Sequence, residues 1–379
     1  MKTPIILYAV STLRRSGPTQ QLLYIIKHIN LRKFQPYLLT LSQEPEDSMN
    51  RAFQELDIPG KSLGLSRLMT FVRGKKCFLK AIQDINPAIL HTQGIRADAI
   101  ALHLRDKLPI VTTARNNPYA DYPRKFGNLR GNLMARSHVS TLRRLPNVVG
   151  CGSSISEELK KYNIFSHFIA NGVDTDRFAP VTSSQERSYL RETLGLSLLS
   201  TVFVVVGSLI PRKDPLLIID AFSRAKLENA VLVILGGGYL EQACKEALEK
   251  LPSSLNIRLL GQISDVRPWL CCADALISAS WAEGLPNSVL EAMSCGLHVI
   301  LSDIPPHREI IEKTSSKVGN LFPPGNAEML AMALKSWSIS CDNSFSPRQL
   351  ILQHFSVQVM ANAYQSLYEK MLEAEKKEH

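Results

Sequence analysis

The sequence predicts an α/β fold made of two doubly wound parallel sheets, and three observations lead there. Short apolar runs alternate with amphipathic ones over residues 4–170, and the alternation restarts at residue 201 after a polar stretch. The chain's 379 residues also exceed what one core usually holds. The expected division is a first domain over 1–175, a second over 176–355 and a closing helical segment over 356–379.

In the first half the candidate strands are 5–10, 35–41, 88–91, 110–114, 147–151 and 167–170. The first apolar run is too short for a secretion signal and lacks a small-residue cleavage site, so it reads as a strand. Ser16-Gly17-Pro18 precedes a helix expected over 20–29, and Gly17 would let backbone approach a ligand there, or simply make a turn. His91 ends one strand, and Arg115 with Asn116 follows another, which puts polar groups at the sheet's carboxyl edge. Two basic amphipathic stretches stand out. Residues 65–82 carry Arg67, Arg73, Lys75, Lys76 and Lys80 among Leu68, Met69, Phe71, Val72, Phe78 and Leu79. Residues 124–145 carry Arg124, Lys125, Arg130, Arg136, Arg143 and Arg144 with no acid. Such helices either lie on an anionic membrane or show a solvated face above a core stripe.

Residues 175–199 are polar and suit a linker with a lead-in helix. The second series opens with the β-branched run 201–206, leading into Gly207 and then Arg212-Lys213-Asp214-Pro215. Asp214 and Pro215 form a cap and first-turn pair for a helix over 216–225. Arg212 and Lys213 are thereby held beside a helix start, where a guanidinium fork and a point charge can neutralise a diphosphate. Further strands are expected over 231–235, 257–260, 273–278 and 297–302. Gly236-Gly237-Gly238 lacks dinucleotide-fingerprint spacing and reads as a tight turn, while Gly261-Gln262-Ile263 lies at a strand end, where backbone could read a nucleobase edge.

The run Trp281-Ala282-Glu283-Gly284-Leu285-Pro286-Asn287-Ser288-Val289-Leu290-Glu291 places two carboxylates across a loop-to-helix junction past a strand's carboxyl end. Ligands bind at that edge of open α/β sheets, and a helix start offers N–H groups and a positive dipole to phosphate. Ser288 to Glu291 also has capping-box spacing, so Glu291 could instead bond back to the helix start. Asn326 is a cap for a helix over 327–338, and the last helix, 357–375, has Met360, Tyr364, Leu367, Tyr368 and Met371 on one face.

Charge is uneven, with 26 Lys and Arg against 13 Asp and Glu in residues 1–180, and 18 against 21 in the remainder. That basic half would suit a membrane surface or a phosphorylated substrate. With no zinc-finger spacing, aromatic ribonucleoprotein motif or basic heptad region, nucleic acid is not an expected partner. No run reaches membrane-spanning length. The seven cysteines show neither metal-ligand nor disulfide spacing, which fits free thiols in a cytoplasm and no metal site.

Gly207 before Arg212-Lys213, Glu283 and Glu291 with seven residues between them, and Ser302-Asp303-Ile304-Pro305-Pro306-His307-Arg308-Glu309, in that order, resemble glycosyltransferase family 4 over nearly the whole chain. The resemblance implies the GT-B fold, two Rossmann-like domains facing an interdomain cleft that holds the active site, with the last helix crossing back to the first domain. It further implies retaining, metal-independent transfer from a nucleotide-diphosphate sugar, with no cofactor. Arg212 and Lys213 would bind the donor diphosphate and Glu283 the sugar hydroxyls. Leu285, Pro286 and Asn287 would present backbone N–H groups to the donor, and Glu291 would accept from the ribose hydroxyls. Gly17, Gly207, Gln262 and Ile263 complete the donor set; His91, Arg115 and Asn116 are acceptor-side candidates. Arg115 stands where many relatives have histidine, and because arginine is no general base, the acceptor proton needs another route.

The expectation is therefore a transferase of cell-surface polysaccharide or lipopolysaccharide synthesis, acting on a glycan or lipid-linked acceptor from the cytoplasm or the membrane's inner face. A nucleotide-sugar epimerase, a glycoside hydrolase and a non-catalytic nucleotide-sugar-binding or membrane-assembly module are the competing readings. The hydrolase leaves the two cations beside a helix start without a purpose.

Overall fold

The computed structural model describes residues 3–66, 69, 73–314, 317–340 and 346–378. The chain forms two compact units, residues 1–172 with 357–379 and residues 173–356.

The first unit is a seven-stranded sheet of β1 (Ile5–Val10), β2 (Gln35–Thr40), β3 (Gly60–Ser62), β4 (Ile89–Gln93), β5 (Ile110–Ala114), β6 (Asn147–Gly150) and β7 (Ser166–Phe168). Its order is β3-β2-β1-β4-β5-β6-β7, and every pairing is parallel. The described helices are α1 (Gly17–His28), α2 (Asn50–Gln54), α3 (Gly74–Ile85), α4 (Ile95–Ala101), α5 (Pro118–Phe126), α6 (Asn128–Leu142) and α7 (Ser153–Lys160). Strand β1 is apolar along its length because a doubly wound sheet is covered on both faces. The last helix, α16 (Val357–Glu378), buries Met360, Tyr364 and Tyr368 in this unit's core beside Tyr8, Ile25 and Phe34.

The second unit is a six-stranded parallel sheet of β8 (Thr201–Val206), β9 (Ala230–Leu235), β10 (Asn256–Leu259), β11 (Ala275–Ser278), β12 (His298–Ser302) and β13 (Gly319–Phe322), in the order β10-β9-β8-β11-β12-β13. Its helices are α8 (Ser184–Thr193), α9 (Pro215–Ala225), α10 (Glu241–Glu249), α11 (Arg267–Cys272), α12 (Asn287–Ser294), α13 (Pro305–Ile311), α14 (Ala327–Ser340) and α15 (Pro347–His354). Strand β8 pairs with β9 on one side and β11 on the other, so the winding reverses between β8 and β11.

Several expectations change. Helix α1 begins at Gly17 itself, with Ser16 capping it by accepting from the Thr19 N–H at 3.3 Å. The stretch 124–145 is not one helix, because Gly127, at φ 83°, breaks it into α5 and α6. The two helices cross closely at Gly131, where a Cβ would lie 2.4 Å from the Pro123 Cα. Residues 175–199 do hold the expected lead-in helix, α8, but it is docked rather than loose, through the buried Arg191, whose guanidinium meets Asp274 at 2.7 Å. Polar composition concealed that packing because its contacts are ion pairs and carbonyls rather than apolar surface. The short strands β3 and β13 carry no clear periodic signal and escaped the reading. Within the 65–82 stretch, Arg67, Leu68, Phe71 and Val72 lie outside the described residues, as does Cys341. No disulfide joins the described cysteines, and Cys271 and Cys272 are buried packing residues of α11.

Candidate active site

In the second unit the loops leaving β8 and β11 flank the point where the winding reverses, where open α/β sheets bind ligands. Arg212 and Lys213 come from the first loop and Glu283 from the second. Lys213 Nζ lies 2.5 Å from Glu283 Oε1, and Arg212 NH1 lies 2.7 Å from Glu283 Oε2. Arg212 also donates to the Ala282 carbonyl, and the Trp281 N–H donates to the Arg212 carbonyl at 2.8 Å. Asp214 caps α9 at φ 48°, accepting from the Leu217 N–H, and takes a second bond from Trp281 Nε1 at 2.9 Å. The loops are thus tied by backbone, indole and ion pair together.

Glycines let this edge close up. A Cβ on Gly236 would sit 1.8 Å from the Gly207 carbonyl oxygen, and one on Gly238 would sit 2.7 Å from that of Leu209. The three-glycine turn therefore lies against the β8 loop, with the Leu209 N–H donating to the Gly237 carbonyl at 3.0 Å. The Gly236 N–H donates to the Gly261 carbonyl at 2.8 Å, and Gln262 comes up beside Gly237. At Gly207 the Lys213 side chain passes 3.5 Å from where a Cβ would be, an ordinary contact, so that glycine is not required to make room for it. Gly236 and Gly238 serve backbone-to-backbone approach between loops.

The two carboxylates are pushed in opposite directions. Burial raises the Glu283 pKa, but Lys213 and then Arg212 outweigh it and hold the carboxyl down to about 2. Ser280 Oγ donates to the same Oε1 at 2.8 Å. The Glu291 carboxylate, on α12, makes no hydrogen bond or ion pair with any described residue, and burial drives it up to about 7 against the weaker pull of Arg177 and Lys213. The capping-box alternative fails here. Pro286 occupies the cap position and no side chain caps α12, so Ser288 stands two residues past the position a capping box requires. Pro286 also has no N–H to offer a ligand, which leaves Leu285 and Asn287 as the backbone donors of that junction.

Behind Glu283 stands a neutral histidine. His307 donates from Nδ1 to the Ser302 carbonyl at 2.7 Å, and burial lowers its pKa to about 4. Ser302 Oγ donates to the Ser280 carbonyl at 2.6 Å, which braces the residue that bonds Glu283. The sequence displayed His307 within a motif but no cue to this supporting role.

The first-unit candidates are more structural than expected. His91 is buried, with Nδ1 2.7 Å from Tyr368 OH and Nε2 2.8 Å from Thr113 Oγ1, and burial, aided by Arg115, lowers it to about 3. Arg115 donates to Gln93 Oε1 at 2.9 Å and to Asn171 Oδ1 at 2.8 Å. Asn116 donates to Asp121 Oδ2 at 2.7 Å. Gly17 lies in the first turn of α1. Among the described residues, no three His, Cys, Asp or Glu side chains gather as a metal site requires.

Two family models match the chain, Glycosyltransferase Family 4 over residues 15–177 and Glycosyl transferases group 1 over residues 200–338. The chain belongs to glycosyltransferase family 4. This family 4 chain is 35% identical over 145 residues to the UDP-Gal:alpha-D-GlcNAc-diphosphoundecaprenol alpha-1,3-galactosyltransferase of Escherichia coli, covering 36% of each. Across six curated relatives it matches, it spans 26% to 45% of their length. A glycosyltransferase structure from Rickettsia africae ESF-5 aligns with TM-score 0.78 at 19% identity, covering 98% of this chain and 99% of that one. Anabaena HepE in complex with UDP aligns with TM-score 0.80 at 17% identity, covering 96% and 99%. At these identities the likeness establishes the fold, and the fold is GT-B.

Proposed function

We propose that this family 4 chain transfers a sugar, with retention, from a nucleoside-diphosphate sugar to a glycan or lipid-linked acceptor. The observation that carries this reading is the convergence of Arg212 and Lys213 on Glu283 at the reversal point of the second sheet. The departing nucleoside diphosphate is where negative charge develops, and two cations fixed in advance stabilise it without reorganising during the reaction. Glu283 is the element that fixes them. Its Oε1 already accepts from Lys213 and Ser280 and its Oε2 from Arg212, which leaves Oε2 room for about one more donor, such as a sugar hydroxyl. The half-buried Glu291, whose carboxylate bonds no described residue, suits a pair of ribose hydroxyls.

Side chains of this chain carry the leaving-group charge in this proposal, so transfer would survive removal of divalent cations. With His91 neutral and buried, and Arg115 never a base, the acceptor proton goes to the departing phosphate oxygen. Relatives named for lipid-diphosphate acceptors and for lipopolysaccharide support a role in cell-surface glycan synthesis.

A thermal-shift screen across nucleoside-diphosphate sugars tests the reading, because a ligand that binds only the native state raises apparent stability. A rise of several degrees with one donor, lost in Lys213→Ala, is the expected result. No response to any donor would overturn it.

A further inference from the structure

We propose that the outer face of the α5–α6 hairpin in the first unit is a docking surface for an anionic lipid bilayer. It deepens the reading above, since a lipid-linked acceptor is delivered at such a surface. Phe126, Leu129 and Leu133 are 39%, 81% and 61% exposed. Leu129 and Leu133 are four residues apart on α6, with Arg136 three further on, so they share one face of that helix. Arg124, Lys125, Arg130 and Arg136 are all exposed around them, and residues 122–145 contain no Asp or Glu. Lys125 Nζ lies over the Phe126 ring, 5.6 Å from its centroid.

These leucines are not displaced core residues. The opposite face of α6 is already satisfied, with Ala135, Val139 and Leu142 buried and His138 bonded to Asp98 at 2.8 Å and to Tyr122 at 2.7 Å. The close crossing of α5 and α6 at Pro123 and Gly131 holds the exposed residues on a fixed hairpin. A helix face that needs only solvent carries charges of both signs, and here one sign surrounds exposed leucines. Lipid meets both features, because leucine side chains enter the acyl boundary while the cations meet anionic headgroups. Nucleic acid would use the cations but has nothing for leucines, which neither stack on bases nor bond their edges.

The test is co-sedimentation of the full chain with vesicles of phosphatidylcholine alone, or with about 30% phosphatidylglycerol added, at low and about 0.5 M salt. Binding to the anionic vesicles only, weakened by salt, is expected. Arg130→Gln with Arg136→Gln should weaken it about 25-fold, at about fivefold per cation removed. Leu129→Ser with Leu133→Ser should weaken it at both salt concentrations, while the thermal shift with the nucleotide sugar stays as in the wild type in both variants. Equal sedimentation of wild type and both variants, or binding to single-stranded RNA with none to vesicles, would overturn the docking surface. A missing nucleotide-sugar response in the wild type would instead strike the transferase reading and leave the surface standing.

Discussion

Lys213 and Glu283 meet at 2.5 Å although one leaves β8 and the other leaves β11, and that contact joins the two loops flanking the reversal of the second sheet. Removing the lysine leaves Glu283 with Arg212 and Ser280, so the local fold keeps two of its three ties. Lys213→Ala is therefore expected to fold normally while turnover falls by about 100- to 1,000-fold, the usual cost of deleting one preorganised charge donor. Single-turnover transfer beside a thermal melt checks it; unchanged turnover refutes the role.

Glu283 also predicts an acid limb of stability. Its folded pKa of about 2 lies below the ordinary 4.5, so the stabilisation is fully present above the ordinary value and is lost as pH falls toward 2. The amount is on the order of 3 kcal/mol. Denaturant melts between those limits should show the loss in the wild type and a flatter profile in Glu283→Gln. Parallel profiles would contradict the ion-pair account.

Glu291 runs the other way. With its folded pKa raised to about 7, the native state holds a proton that the unfolded chain has released, so stability falls as pH rises from the ordinary carboxylate range through about 7. Glu291→Gln should remove that decline and be the more stable protein at alkaline pH. If the carboxylate accepts from ribose hydroxyls, nucleotide affinity in the wild type strengthens as pH rises through 7, and the glutamine variant is weak and flat. A titration calorimetry series across that range separates the two effects.

The contrast between the two acids shows what the sequence carried. Spacing placed Glu283 and Glu291 across one junction, and the β-branched run 201–206 placed the cations at a strand end, because both are local patterns. Their opposite environments depend on which loops touch across the sheet, which no local pattern encodes. The same limit explains His91, which reads as a site residue at a strand end but stands in the middle of β4. Its partners are Thr113 from β5 and Tyr368 from α16, brought together only by the fold.

His91→Ala should accordingly act on stability. It leaves the buried Tyr368 and Thr113 hydroxyls short of a partner and opens a hole among the rings of Tyr8, Tyr364 and Tyr368. A loss of about 3 kcal/mol in denaturant melts is expected. The pH profile of the surviving activity should keep its shape, because a histidine held at about 3 titrates outside the working range.

The three-glycine turn offers the sharpest comparison, since two neighbouring glycines differ in what a methyl group would meet. On Gly236 the Cβ would fall 1.8 Å from the Gly207 carbonyl oxygen, at φ 148°, so the β8 and β9 loops must part to admit it. On Gly237 the nearest atoms are Glu241 Oε2 at 3.4 Å, the end of a flexible side chain, and Gln262 Cβ at 3.8 Å, an ordinary van der Waals contact. Gly236→Ala should cost more than about 3 kcal/mol and abolish the nucleotide-sugar thermal shift, because the β8 loop also positions Lys213. Gly237→Ala should stay within about 1 kcal/mol of the wild type and keep the shift. If the two variants melted and bound alike, the interlocking of these loops would not be what holds Lys213 in register with Glu283.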